Sequence, residues 1–299
     1  MMSTAVPRRA GLTPNISVIM VVYRTGPSLQ GSIDRVRTDP MADQFIIVDN
    51  GSSRLEESWI DEAVAEDDRI ILIRGQGNVG FARGANMGAS AANGRILVFL
   101  NPDAFLLPGC LSSLSEGVEI GPAPCLVGAR ILNPDHSEQR GARRGEVTPV
   151  TTLLSLLKLA HRLKALERFE IHRESDPAPC GRVPVPTISG AGFAMKRADF
   201  ASVRGFDEGY FLHVEDVDLC WRVRQAGGSV WFDPAAEIVH LGSTSRTSPL
   251  KVEFWKGVGL VRYFRKRADN PMRFLVANLL APAILLASLT RALLHLRRR

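Results

Sequence analysis

The chain has 299 residues, 45% of them apolar and 23% charged, a globular composition that excludes disorder over most of its length and leaves room for one large domain plus an appendage. Its formal charge of +6 is concentrated at one end: residues 262–299 carry nine Lys or Arg against Asp269 alone, giving +8 there and leaving −2 for residues 1–261. A body of that charge excludes a surface built for a nucleic-acid backbone, and a basic tail rich in leucine and alanine points to a membrane surface instead.

Residues 1–14 form a tail with Arg8 and Arg9 but no apolar stretch of signal-peptide kind after them, so export is not expected. Ile16–Tyr23 is a short apolar run rich in β-branched residues and closed by Gly26-Pro27, the pattern of a buried parallel strand. The pattern recurs at Phe45–Asp49, Ile70–Ile73 and Ile96–Leu100, with stretches of helix length at Leu29–Thr38, Arg54–Ala65 and Phe81–Ala92 between them. This alternation predicts a doubly wound α/β sheet, in which ligands lie beyond the carboxyl ends of the strands, where Asp49, Asn50 and Asp103 fall.

From Ala142 to Val185 the character changes. A leucine-rich basic stretch, Thr151–Phe169, predicts a helix within an insertion or lid, with core packing or contact with a lipid-linked acceptor as its two readings. After it come a strand at Ile188–Met195, a loop through Gly205-Phe-Asp207, a helix over Val217–Gln225 and a last strand at Glu237–His240. The run Phe274–Thr290 has 17 uncharged residues between Arg273 and Arg291. That is short of the roughly 20 needed to span a bilayer, so it reads as an interfacial helix or a packed C-terminal helix. Cys110, Cys125, Cys180 and Cys220 have neither zinc nor disulfide spacing and read as reduced thiols of a cytoplasmic protein.

Gly75-Gln-Gly77-Asn-Val-Gly80 matches a dinucleotide-binding pattern, but it follows the third strand rather than the first, and its glycines continue through Gly84 and Gly88. The small residues after it suggest a helix pressed on the sheet. Taken singly, Asp49 before Asn-Gly-Ser is turn chemistry, Asp103 after Pro102 another turn, His240 a structural histidine, and Glu215, Asp216 and Asp218 favourable charge at a helix start. His213, Trp221 and Trp231 suggest no chemistry of their own.

Taken together the segments say more. VVYR, VDNGS, GNVGFARGANMG, NPD, SGAGF, GFDEGYFLHVEDVDLCWR and VHLGSTS, in this order over Ile16–Ser245, resemble family 2 glycosyltransferases of the GT-A fold, especially a rhamnosyltransferase-like bacterial branch. The resemblance implies a GT-A domain over residues 15–246 with an insertion at about 142–186; the helical segment at 247–299, with its expected membrane association, is read from composition alone. The resemblance implies further that Asp49 and Asn50, with Tyr23, hold the nucleobase side, and that Arg83, Asn86, Ser243 and Arg246 help hold the nucleotide diphosphate. Asp103 matches the last acid of a D-x-D element whose first acid is here Asn101, so His240 would complete the site of a divalent Mg²⁺ or Mn²⁺ ion. Asp216 matches the general base of an inverting transfer, Glu215 an orienting residue, and Gly190 and Ala191, with Glu215, the acceptor side. Asp218 would cap or charge the first helical turn. The expected donor is dTDP-rhamnose or a UDP-hexose. The expected acceptor is a cell-surface polysaccharide or lipid-linked glycan at the inner face of the plasma membrane. A catalytically inert GT-A scaffold and an NAD-dependent oxidoreductase are the competing classes.

Overall fold

The structure is a computed structural model and describes residues 15–157, 164–242, 244–245 and 247–296. The apolar runs form β1 (Ile16–Val22), β2 (Ala42–Asp49), β3 (Ile70–Arg74) and β4 (Ile96–Leu100), joined by α1 (Ser28–Thr38), α2 (Arg54–Glu66) and α3 (Phe81–Ala91). These strands are parallel, in the order β3-β2-β1-β4. Every residue of β1 and β4 is buried, as a strand covered on both faces requires. Alternation along β1 sends Val18, Met20 and Val22 to a core shared with Leu29, Ile33 and Ile60, and sends Ile19 and Val21 to a second core with Ala82, Ala85 and Phe99. The glycines of α3 have a steric reason: a Cβ on Gly88 would lie 2.6 Å from the Ile19 side chain, so only small residues let the helix down onto the sheet.

Further along, the chain forms β5 (Ala104–Leu106), α4 (Cys110–Gly117), β6 (Cys125–Leu132), β7 (Arg143–Arg144), α5 (Pro149–Leu156), β8 (Val183–Pro184), β9 (Thr187–Ile188), β10 (Gly192–Lys196), α6 (Arg197–Ser202), α7 (Glu215–Gln225) and β11 (Ser229–His240). The sheet becomes mixed in the order β3-β2-β1-β4-β10-β6-β11-β5, with β8 on β11. β10 runs antiparallel to β4 and β6, and β5 antiparallel to β11. β7 and β9 form a separate two-stranded ribbon.

Three expectations need correction. The strand expected at Ile188–Met195 is two pieces, because Ser189–Ala191 leaves the ladder: Ser189 N–H donates to Ala142 O, and Ala191 O accepts from Asn101 N–H. The last strand begins at Ser229 and not Glu237; a register shift between Asp233 and Glu237, next to Pro234, hid its period. The helix expected over Thr151–Phe169 is instead α5, closed at its start by a Thr148–Thr151 capping box, and a short 3₁₀ turn at Lys164–Phe169. Residues 158–163 lie outside the described residues.

The C-terminal segment is two packed helices, α8 (Pro249–Arg267) and α9 (Pro271–Leu296). Leu260, Val261 and Phe264 of α8 and Ala277, Ala281 and Ile284 of α9 share a third core with Tyr210, Val214 and Val217. Much of the tail's charge is spent internally: Arg262 and Lys266 reach Asp207 at 3.0 and 2.7 Å, Arg267 reaches Glu146, and Arg291 lies 3.5 Å from Glu253. The opposite side of α9 is apolar and open, with Met272, Leu275, Leu279, Leu286 and Leu293 each more than half exposed.

Candidate active site

Asp49 ends β2 and is 2% exposed. Its Oδ1 accepts from the N–H groups of Gly51 (3.0 Å) and Ser52 (2.8 Å), closing the turn, and its Oδ2 accepts from Arg74 Nε at 2.8 Å. Turn chemistry therefore accounts for one oxygen, while the other keeps capacity for a further donor. Asn50 is equally buried; its amide donates to Gly80 O at 3.0 Å and accepts from Gln76 at 3.2 Å. Tyr23 lies against Gly51, with the Arg24 guanidinium 5.5 Å from its ring centre. A cavity of about 540 Å³, lined by Arg24, Pro27, Ser52, Arg54, Leu55 and Trp59, opens beside this turn. Gly80 has φ +83°, and a Cβ there would sit 2.6 Å from Phe211 O. That glycine serves the approach of the 206–214 loop, while Gly75 and Gly77 hold positive φ in the open turn before it, so turn geometry and loop packing account for the glycine pattern.

Asp103 follows β4, and His240 ends β11. β11 pairs with β5, the strand that begins immediately after Asp103, and this register brings the two together with His240 Nε2 3.0 Å from Asp103 Oδ1. Asn101 Nδ2 lies 3.3 Å from the same nitrogen. Gln139 donates its amide N–H to His240 O (2.9 Å) and Asn133 Oδ1 (3.2 Å), so its oxygen faces His240 Nδ1 at 2.7 Å. Nδ1 therefore carries a proton, and Nε2 is the ring nitrogen that faces Asp103. Thr244 donates to Asp103 Oδ2 at 2.9 Å. Burial works to raise the Asp103 carboxyl, but the hydrogen bond and charge of His240, with Thr244, outweigh it and hold it below the ordinary value. Among the described residues no cluster of three or more His, Cys, Asp or Glu is placed to hold a metal. One carboxylate and one imidazole with its second nitrogen anchored fit a cation that takes its other ligands from water and substrate phosphates.

The third group stands at the start of α7. Asp216 Oδ2 accepts from Gly190 N–H at 3.0 Å and from Arg144 at 2.5 Å, and its Oδ1 accepts from Val217 N–H at 2.8 Å. Burial would raise its carboxyl, but Arg144 above all, with these backbone donors, holds it below the ordinary range. Glu215 is pushed the other way, to about 8, by burial and then by the charge of Asp216, and its Oε2 is buried with no partner. Two adjacent carboxyls thus carry one charge at neutral pH, on Asp216. Asn101 N–H bonds Ala191 O, and Gly190 N–H bonds Asp216, so the Asp103–His240 pair and Asp216 are joined through one short backbone bend.

Other expected residues sit differently. Asn86 clamps the Phe206 backbone, accepting from its N–H and donating to its O, both at 2.9 Å. Arg83 is exposed, 3.9 Å from Glu208. Asp218 does not cap the helix: it is fully buried and takes Arg222 (2.6 Å), Lys266 (2.8 Å) and the Tyr210 hydroxyl (3.2 Å), tying α7 to α8. Ser243 and Arg246 lie outside the described residues. Sequence reasoning missed Arg144, Gln139, Thr244 and Arg74: Arg74 closes β3, Arg144 closes the short β7 and Thr244 lies within VHLGSTS, but each acts on a residue distant in sequence.

A four-stranded parallel half with acids at its carboxyl ends, continued by an antiparallel β10 and flanked by helices, is the GT-A arrangement of nucleotide-sugar transferases. In solved structures it is shared with GalNAc-T7 crystallised with UDP, GalNAc and Mn²⁺ (TM-score 0.61, 16% identity, covering 85% of this chain and 48% of that one). It is shared too with the mannosyltransferase PcManGT of Pyrobaculum calidifontis in complex with GDP-Man and Mn²⁺ (0.57, 16%, 94% and 74%). This chain thus spans about half of the first of these. Residues 17–203 match glycosyl transferase family 2, and the chain belongs to that family. A relative in Mycobacterium tuberculosis, the N-acetylglucosaminyl-diphospho-decaprenol L-rhamnosyltransferase, is 27% identical over 250 residues, 77% of this chain and 76% of that protein. Rhamnosyltransferase WbbL of Escherichia coli K12 is 34% identical over 92 residues, 30% of this chain and 35% of that protein.

Proposed function

We propose that this glycosyltransferase works with inversion and with a divalent metal ion. In this reading it moves a sugar from a nucleoside-diphosphate donor to a hydroxyl of a lipid-linked glycan at the inner face of the plasma membrane. The observation that carries the reading is Asp216, a buried carboxylate kept charged by Arg144 and aimed by Gly190, one backbone bend from Asp103 and His240. Rhamnose from dTDP-rhamnose is the first candidate donor, supported by the names of the two bacterial relatives, and a UDP-hexose is the second.

Asp103 Oδ1 and His240 Nε2 would hold the cation, which when bound would neutralise charge on the departing diphosphate. Asp49 would take a nucleobase N–H on Oδ2, beside Tyr23 and Asn50. Asp216 accepts the acceptor proton as the hydroxyl oxygen bonds to the anomeric carbon; the bond from that carbon to the diphosphate breaks on the opposite side, and its electrons leave with the diphosphate. Glu215, neutral beside it, leaves Asp216 as the only charged base there. Ser243 and Arg246 stay in this reading as diphosphate contacts, and Arg83 as a peripheral one. Asn86, its amide engaged on Phe206, would act by holding the loop. The boundary near residue 246, with 142–186 as an insertion, belongs to the same reading. The open apolar side of α9 supports contact with a bilayer.

The test is thermal melting of the full chain with dTDP, UDP and their sugars, with and without Mn²⁺ or Mg²⁺, beside Asp103→Ala. Metal-dependent stabilisation lost in the variant is expected, because a ligand bound only by the native state raises the melting temperature. Stabilisation by NAD alone, or by no nucleotide, would overturn the proposal.

A further inference from the structure

Beside Arg144, which keeps the base charged, stand three cations with no role in the transfer step. Arg144, on β7, reaches Asp216. Arg140 lies just before it, and Arg291 comes from α9. Lys256, on α8, makes no hydrogen bond or ion pair among the described residues. Arg144 and Arg140 flank His172: its backbone bridges that of Arg144, its N–H shares Glu170 Oε1 with Arg140, and its Nδ1 is buried without a partner. Burial first, and then the charges of Arg140, Arg144, Lys256 and Arg291, drive that imidazole down to about 2, and the packing carries these side chains to one side of the molecule: Arg140 reaches Ser155 of α5 at 3.4 Å, α5 packs on α9, and Arg291 of α9 faces Glu253, one turn before Lys256 on α8. The opposing acids hold them loosely: Arg140 stands 3.5 Å from Glu170 and 3.9 Å from Glu174, and Arg291 3.5 Å from Glu253. The side chains of Arg140 and Arg291 are 42% and 37% exposed, so the group opens to solvent.

Resting on the transfer reading above, we infer that Arg140, Arg144, Lys256 and Arg291 form the subsite for the phosphate or diphosphate that joins the acceptor sugar to its lipid. The placement fits that chemistry. Arg144 belongs both to this group and to the base, so an acceptor whose hydroxyl meets Asp216 has its lipid-bearing end directed to the other three cations. Arg291 itself comes from α9, whose outer side is apolar. Guanidinium groups suit such a ligand because they give phosphate oxygens paired N–H donors.

The experiment titrates farnesyl diphosphate into the full chain in EDTA, which removes any cation from the donor side, and compares wild type with Lys256→Gln, Arg291→Gln and the more exposed Arg140→Gln. Loss of one charge-assisted contact should weaken binding about tenfold or more, with farnesol binding far more weakly than the diphosphate to wild type. Asp103→Ala should bind as wild type does. Flotation on phosphatidylglycerol vesicles should persist in all three cation variants. Undiminished farnesyl diphosphate affinity in Lys256→Gln and Arg140→Gln would overturn the subsite. So would variants that lose vesicle flotation while keeping farnesyl diphosphate, since the cations would then serve bilayer headgroups. Melting with nucleotides, run beside the titration, separates the two proposals: a nucleotide response with cation-independent farnesyl diphosphate binding sinks only the subsite.

Discussion

Arg144 Nη2 lies 2.5 Å from Asp216 Oδ2 and also donates to Ile188 O at 3.0 Å, so the guanidinium that keeps the base charged is itself fixed by the β7–β9 ribbon. An ion pair of this kind lowers the carboxyl and makes it a weaker base, but one that stays ionised well below neutral pH.

Arg144→Gln should therefore move the acid limb of the activity profile upward. Asp216 works deprotonated, and activity falls as pH drops through its pKa. Removing the guanidinium lets burial raise that pKa, so the fall begins at higher pH, by about one unit or more. Profiles of kcat against pH for wild type, Arg144→Gln and Arg144→Lys would check it, with Lys recovering part of the shift; an unmoved acid limb would remove Arg144 from the control of the base.

Glu215 makes a prediction about stability. Its carboxyl is raised from the ordinary 4.5 to about 8 in the folded chain, so the folded state holds a proton that the unfolded state releases, and stability declines as pH rises between those values. Glu215→Gln removes the ionisation. Its melting temperature should match that of wild type at the acid end of the window and exceed it increasingly as pH rises through the window. Melting curves across the window would read this, and parallel curves for the two proteins would contradict a raised Glu215.

The first four strands were legible because each is apolar on both faces and stops at turn residues, a signal that needs no partner to interpret. The second half was less so. β10 and β9 read as one strand since nothing in SGAGF marks the bend at Gly190, whose purpose is visible only when Asp216 arrives from 26 residues away. Asp103, His240, Asp216 and Gly190 were reached through family order and now stand in two joined groups. Arg144 and Gln139 were not reached: each acts on a residue 72 or 101 positions distant, and no local periodicity encodes such a pairing. Asp218 was misjudged for the opposite reason. A third acid in a first helical turn looks like helix-end charge, whereas burial and three partners make it a tie between α7 and α8.

Gln139 offers a test of the metal reading that leaves both proposed ligands in place. Its oxygen holds the Nδ1 proton of His240 and so leaves Nε2 as the nitrogen that a cation would take. Gln139→Leu should weaken Mn²⁺-dependent nucleotide stabilisation about 10- to 100-fold in metal affinity, the usual loss for a partner behind a ligating histidine. Gln139→Glu, which keeps an acceptor, should retain most of it. A Mn²⁺ titration of nucleotide-dependent melting distinguishes these outcomes, and equal behaviour of the Leu variant and wild type would separate His240 from metal binding.

The two sides of α9 should answer differently to the same kind of substitution. Leu279 and Leu286 are 69% and 64% exposed, whereas Ile284, on the same helix, is fully buried against α8 and the Tyr210 cluster. Replacing both exposed leucines by serine removes little buried surface, so melting should change by little, within about 0.5 kcal/mol per site. If the outer side enters a bilayer interface, the same pair forfeits a large part of the roughly 1.5–3 kcal/mol that each buried leucine contributes, and flotation on phosphatidylglycerol vesicles should fall more than tenfold. Ile284→Ser should do the reverse, costing stability through a buried hydroxyl and a cavity while leaving the flotation of the folded fraction unchanged. Retained flotation in the Leu279→Ser, Leu286→Ser protein would assign membrane contact, where it occurs, to another surface.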